Sequence, residues 1–140
     1  MRTMSRPCFL LLCFVATGAA AQYPERPIRL VVPQAAGSAT DNIARIVGPA
    51  LSKELGQPVV VDNRPGGALT IGIDAVAKAA PDGYTIGQGP VGALAITRHM
   101  VAKLPYDIER DLQPVALVST GYMLLAVSLK TDFLSVKDLI

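Results

Sequence analysis

The sequence predicts an α/β fold built on a parallel sheet. Three observations carry this. Short β-branched runs stand at Ile28–Val32, Val59–Val61 and Tyr84–Ile86, two stretches of helical period lie between them, and the joins are short and rich in glycine and proline. Strand, helix, strand, helix, strand in that rhythm is the pattern of a parallel sheet covered by helices. Right-handed crossovers place every strand C-terminus on one edge, so the three loops that leave those ends lie side by side.

The chain opens on a segment that is not expected to belong to the fold. Arg2 and Arg6 precede the apolar run CFLLLCFV (Cys8 to Val15), and Ala19-Ala20-Ala21 follows it. A positive start, an apolar centre and small residues in that order form an export signal, with cleavage expected after Ala21. The apolar run is shorter than the ~20 residues a membrane-spanning helix needs. Pro7 before Cys8 and Leu12 before Cys13 do not provide the small residue that a lipid-attachment site requires. Both cysteines of the chain leave with this segment, so neither disulfides nor thiolate chemistry are expected after it. Of 13 basic and 11 acidic residues, Arg2 and Arg6 also leave. The remainder is neutral and has no basic cluster, which argues against nucleic acid as a partner.

Tyr23-Pro24-Glu25-Arg26-Pro27 is too proline-rich to be helical and leads into Ile28–Val32, an apolar run closed by Pro33. Its composition fits a strand buried on both faces. From Ile43 the period lengthens. Ile43, Ile46, Val47, Ala50, Leu51 and Leu55 form one helical stripe, Pro49 is expected to bend the helix, and Gly56 is a natural stop. Ser38 or Thr40 is the expected N-cap, with Asp41 closing a capping box on Ser38. After Val59–Val61 the turn Asp62–Gly67 leads to a second helix from about Thr70 to Ala80, with Ile71, Ala75, Val76 and Ala79 on its apolar side. Pro81-Asp82-Gly83 ends it, and Tyr84–Ile86 runs into GQGPVGALAI. Lys103–Asp107 and the following IERD read as a surface loop. Leu112–Ser119 and Tyr122–Leu129 read as two further strands. Ser135 and Asp138 have capping-box spacing two residues before the last, Ile140, so the chain is expected to be an N-terminal fragment.

Little in this sequence asks for catalysis. Gly87-Gln88-Gly89-Pro90-Val91-Gly92 matches a dinucleotide fingerprint, but Asp107 lies in a charged loop and not at the end of a following strand. His99 is the single histidine and has no carboxylates at ligand spacing. Ser38 and Ser119 lack a G-x-S-x-G elbow. No enzyme, metal or cofactor is expected. What remains is backbone. Ala36, Gly37 and Ser38 keep the first loop clear of bulk, so main-chain N–H groups at the helix start can reach an anion. Asp41 serves equally as a cap or as a group facing the ligand. Arg64 reads as a carboxylate clamp or as a pin that bonds the carbonyls of its own turn.

The segments YPERPIRLVVPQAAGSATDNIAR, GQPVVVDNRPGGALTIG, AVAKAAPDGYTI, KLPYD and DLQPVALVS, in this order and spacing, resemble the Bug-type extracytoplasmic solute-binding proteins of tripartite tricarboxylate transporters. The resemblance covers essentially all of the chain after residue 21. It implies a periplasmic-binding-protein-like, Venus-flytrap architecture in the periplasm. Residues 22–112 would form most of a first α/β domain, and 113–140 the crossover strands and the start of an incomplete second. It implies a small carboxylate (di-, tricarboxylate or related organic acid) as ligand, membrane subunits of the transporter as partners, and a monomer. The ligand-binding residues it implies are Gln34, Ala36, Gly37, Ser38, Thr40 and Asp41 in the first loop. Pro65, Gly66, Gly67 and Ala68 follow in the second, and Gly89, Pro90, Val91 and Gly92 in the third. Departures from the family pattern fall at Gln34, at Gly37-Ser38, in PGGAL with its bulky Leu69, and at Thr97. Two alternatives stand beside this reading: a ligand sensor that docks a two-component kinase, and a non-functional truncated product.

Overall fold

The computed structural model describes residues 23–122, 124–133 and 135–139. The expected export signal and its cleavage point lie outside them. Three strands form one sheet: β1 (Ile28–Val32), β2 (Val59–Asn63) and β3 (Thr85–Gly87). Their order is β2-β1-β3 and both pairings are parallel, with Leu30 opposite Val61 on one side and Ile86 on the other. The centre strand is the most apolar of the three. Ile28, Val31 and Val32 are fully buried, each contributing ~1.5–3 kcal/mol by leaving water.

Helix α1 (Ala39–Leu55) covers the face of Leu30 and Val32. Ser38 is its N-cap and Gly56, at φ 68°, its left-handed stop. The buried face of α1 differs from the expected stripe. Ala44 and Gly48 point inward with Thr40 and Asp41, whereas Ile46 is 74% exposed and Ala50 faces out. Small side chains at 44 and 48 let the helix axis approach the sheet, so the contact line follows them and Ile43, Val47 and Leu51 flank it. The helix continues through Pro49, whose ring lies on the exposed side. Ser52 ties α1 to β2: its hydroxyl donates to Gly48 O and accepts from Val59 N, both at 2.8 Å.

Helix α2 (Thr70–Ala77) covers the opposite face of β1 and β3 and ends three residues earlier than expected. Its buried positions are Gly72 and Ile73, while Ile71 is 52% exposed. Gly72 sets this phase. An added Cβ would stand 2.6 Å from Pro33 Cα and 2.9 Å from Arg64 O, so only glycine lets the helix lie against both loops.

After β3 comes a π-helical stretch, Gly92–Ile96, that continues as α3 (Thr97–Met100). IERD, expected as loop, is a helical turn α4 (Ile108–Asp111). Asp107 caps it by accepting from Glu109 N and Arg110 N at 2.9 and 3.2 Å. A second core of Ile73, Ala93 and Tyr106, ringed by Leu69, Leu94, Leu104, Ile108 and Leu112, joins α2, the π-helical stretch and α4.

The strands expected at Leu112–Ser119 and Tyr122–Leu129 are absent among the described residues. This stretch is irregular, and Val115, Leu117, Tyr122, Leu124 and Leu129 are more than four-fifths exposed. A β-branched apolar run supplies propensity, but a strand exists only when another edge accepts its N–H and C=O groups. The capping pattern at Ser135 opens a 3₁₀ turn (Val136–Leu139), with Ser135 N donating to Asp138 Oδ2 at 2.7 Å.

Candidate functional site

The parallel sheet brings three loops to one edge. Arg64 N donates to Val32 O at 2.8 Å and Gln88 N to Val31 O at 3.0 Å, so the second and third loops both leave from the end of β1. The first loop, Pro33–Ser38, lies between them. Pro33 is fully buried, and Gly37 adopts φ 84°, which a side chain disfavours.

Asp41 is the hub of the first loop. Its side chain is 1% exposed and three donors reach it: Gly37 N at 2.8 Å, Arg45 Nε at 2.9 Å and Asn63 Nδ2 at 2.9 Å. The expected capping box is displaced by one residue. Ser38 Oγ accepts from Asp41 N at 3.2 Å, but the returning carboxylate takes the N–H of Gly37 and not that of Ser38, which bonds Ala35 O. With Asp41 turned inward, the N–H groups of Ala36, Ala39 and Thr40 have no hydrogen-bond partner among the described residues. Together with the positive end of a 17-residue helix, they form a cradle suited to an anion.

The Arg45 guanidinium, then the Gly37 N–H and the Asn63 amide, hold the Asp41 carboxyl down to about 2. The same pair raises Arg45. A folded-state value below the ordinary 3.8 means that the stabilisation is complete above about pH 4 and is lost as pH falls through about 2. Asp41→Asn is therefore expected to flatten the acid limb of stability between about pH 4 and 2. Urea midpoints of both proteins across that window check it, and parallel curves would refute the role given to Asp41.

Asn63 was part of an expected turn with no role of its own. The structure makes it the joint between loops: Nδ2 also donates to Gln34 O at 3.1 Å, and Oδ1 accepts from Arg45 at 3.3 Å. Its position ending a strand is the only sequence signal, because its partners are 22 and 29 residues away. Among the described residues the Arg64 side chain bonds no carbonyl of its own turn, so the pin expected there is not formed. Its Nε pairs with Asp62 Oδ2 at 2.8 Å, an oxygen that Arg29 Nε also approaches at 3.1 Å.

The second loop contains Pro65, Gly66, Gly67 and Ala68, all exposed. Ala68 (φ 51°) and Leu69 (φ 75°) are both left-handed, a strain of order 1–3 kcal/mol each for a residue with a Cβ. Ala68→Gly is expected to leave stability unchanged or raise it by up to ~1 kcal/mol, read from thermal or chemical unfolding. A loss above ~1 kcal/mol would contradict that backbone angle.

In the third loop Gly89 and Pro90 are half-buried, while Val91 is 71% exposed and Gly92 already belongs to the π-helical stretch. A wall made only of loop is thus corrected to a loop that becomes helix at its fourth residue. His99 is exposed on α3 and accepts from Arg98 Nε at 3.1 Å. Two open hollows among the described residues lie away from the loops. One, of about 430 Å³, is lined by Arg26, Arg29 and Tyr84 below the other strand edge, and the second lies beside Pro49 and Pro58.

Residues 43–140 match the family model described as tripartite tricarboxylate transporter family receptor. The chain belongs to that family. A UPF0065 protein of Bordetella bronchiseptica is 44% identical over 99% of this chain and 42% of its own length. Protein BugT of Bordetella pertussis is 38% identical over 98% of this chain and 44% of its own. The chain therefore spans about two-fifths of the length of these relatives. Among solved structures, MatC from Rhodopseudomonas palustris with bound malate is 38% identical over 69% of this chain and 33% of its own, with a TM-score of 0.66. A second R. palustris protein, with adipate, is 39% identical over 62% and 29%, with a TM-score of 0.60. This α/β chain with its parallel sheet thus has the fold of about a third of a periplasmic binding protein. The family is one of solute-binding receptors and is not enzymatic. No helix among the described residues is long and apolar enough to cross a membrane.

Proposed function

We propose that the three-loop edge is one wall of a cleft that captures a small organic carboxylate in the periplasm for a tripartite tricarboxylate transporter. The observation that supports this most is the set of N–H groups at Ala36, Ala39 and Thr40, at the start of α1, that have no partner among the described residues. They suit a carboxylate better than a phosphate, because among the described residues the one cation of the three loops, Arg64, is paired with Asp62 and is not free to neutralise a second charge. In this reading Gln34, Ser38 and Thr40 add polar contacts. Pro65 to Ala68 form the second side of the wall and Gly89 to Gly92 the third. Asp41 keeps the cradle in shape from beneath. The malate and adipate on the R. palustris relatives support a diacid as ligand class.

Isothermal titration of the full-length protein against a panel of C4 to C6 di- and tricarboxylates tests the reading. Binding of at least one member at micromolar level is expected, and no binding by a folded protein would sink it. Export is part of the same reading: N-terminal sequencing of the periplasmic form is expected to begin at Gln22, after cleavage behind Ala21. Delivery to membrane subunits and a monomeric state complete it. Light scattering and co-purification with those subunits test these two points.

A further inference from the structure

The second and third loops meet at Thr97. The left-handed turn Gly67-Ala68-Leu69 is strained, and such backbone persists only where its surroundings over-determine it. Two contacts do so here. Leu69 packs its side chain into the cluster of Ile73, Ala93 and Tyr106, with Cδ1 3.8 Å from where a Cβ on Gly92 would stand. Thr97, 5% exposed at the start of α3, directs Oγ1 to Gly92 O at 2.7 Å and to Ala68 O at 3.3 Å. Its backbone N–H also goes to Gly92 O. A hydroxyl has a single proton to donate. Gly92 O holds it in the shorter geometry, and Ala68 O shares it from the longer one.

We infer that Thr97 is a positioning residue that couples the second loop to the third and so sets the width of the ligand-facing wall. The width part rests on the carboxylate-cleft reading; the coupling part does not. Valine at 97 keeps the shape and removes the proton. Serine keeps the proton. Asparagine brings two donors, enough for both carbonyls.

The test is amide hydrogen exchange at Leu69, whose N–H bonds Gly66 O, in ligand-free full-length protein. Thr97→Val is expected to speed this exchange roughly fivefold, and Thr97→Ser to stay within about twofold of the parent. An unchanged rate in Thr97→Val overturns the coupling. Should valine prevent folding, Thr97→Asn decides: slower exchange at Leu69 supports the coupling, and an unchanged or faster rate overturns it. With ligand, the ratio of affinities for succinate and adipate is expected to shift about threefold or more in Thr97→Val and not in Thr97→Ser. An equal loss for both diacids marks a merely structural role and overturns the positioning of the wall. If neither the parent nor any variant binds a diacid, the carboxylate reading and the wall width that rests on it fall, and the exchange rates alone decide the coupling.

Discussion

Gly72→Ala is expected to destabilise the chain by about 3 kcal/mol, because the added methyl enters occupied space. Its Cβ would stand 2.6 Å from Pro33 Cα, 2.7 Å from Pro33 Cβ and 2.9 Å from Arg64 O. Two of these atoms are backbone and the third belongs to a proline ring, so no rotamer change relieves the clash. Relief requires α2 to lift off the sheet, which separates Ile73 from Ala93 and Tyr106 and opens the second core. The same movement pulls the first and second loops apart, since Pro33 and Arg64 belong to them. Chemical unfolding of the variant measures the loss, and a change below ~1 kcal/mol would show that α2 does not rest on these loops.

Asn63→Ala is the second large effect, expected at about 2–4 kcal/mol. It removes the donor that serves Gln34 O and Asp41 Oδ1 and leaves two partly buried acceptors unpaired. Gln34 begins the ligand-facing part of the first loop and Asp41 holds Gly37 in its left-handed conformation, so the cradle loosens together with the fold. Asn63→Asp is expected to be worse above about pH 4, because a second carboxylate then faces Asp41 in place of an N–H donor. Lowering the pH restores part of that difference by protonating the new group. Equal stability of the Ala and Asp variants at neutral pH would contradict the contact between residues 63 and 41. Unlike Gly72→Ala, these variants also bear on the site: titration of a carboxylate should weaken in step with the lost hydrogen bonds.

Much of the fold was legible from local pattern. Prolines at 27, 33 and 58 bracket β1 and the start of β2, and the β-branched runs match the strands to within a residue or two. Ser38 and Gly56 mark the ends of α1. Helix phase was not legible. Periodicity finds the large apolar residues, and so nominated Ile46 and Ile71, both of which face out. The axes instead come closest where side chains are smallest, at Ala44, Gly48 and Gly72, and a count of large residues gives those positions no weight. Leu112–Leu129 failed for a different reason. Its strand propensity is real, but pairing is a property of two segments, and among the described residues none pairs with it.

The sequence by itself determined the α/β order, the parallel sheet and the three small-residue loops at one edge, because period, proline and glycine act within a few residues. It also carried the family, through motifs spread along the chain. Only the tertiary structure decided which groups hold the loops together. Asp41 turns inward because Asn63 reaches it from 22 residues away, and the second loop stays left-handed against the 29-residue link from Thr97 to Ala68. Those bonds depend on distances that close when the sheet forms, and no local spacing encodes them.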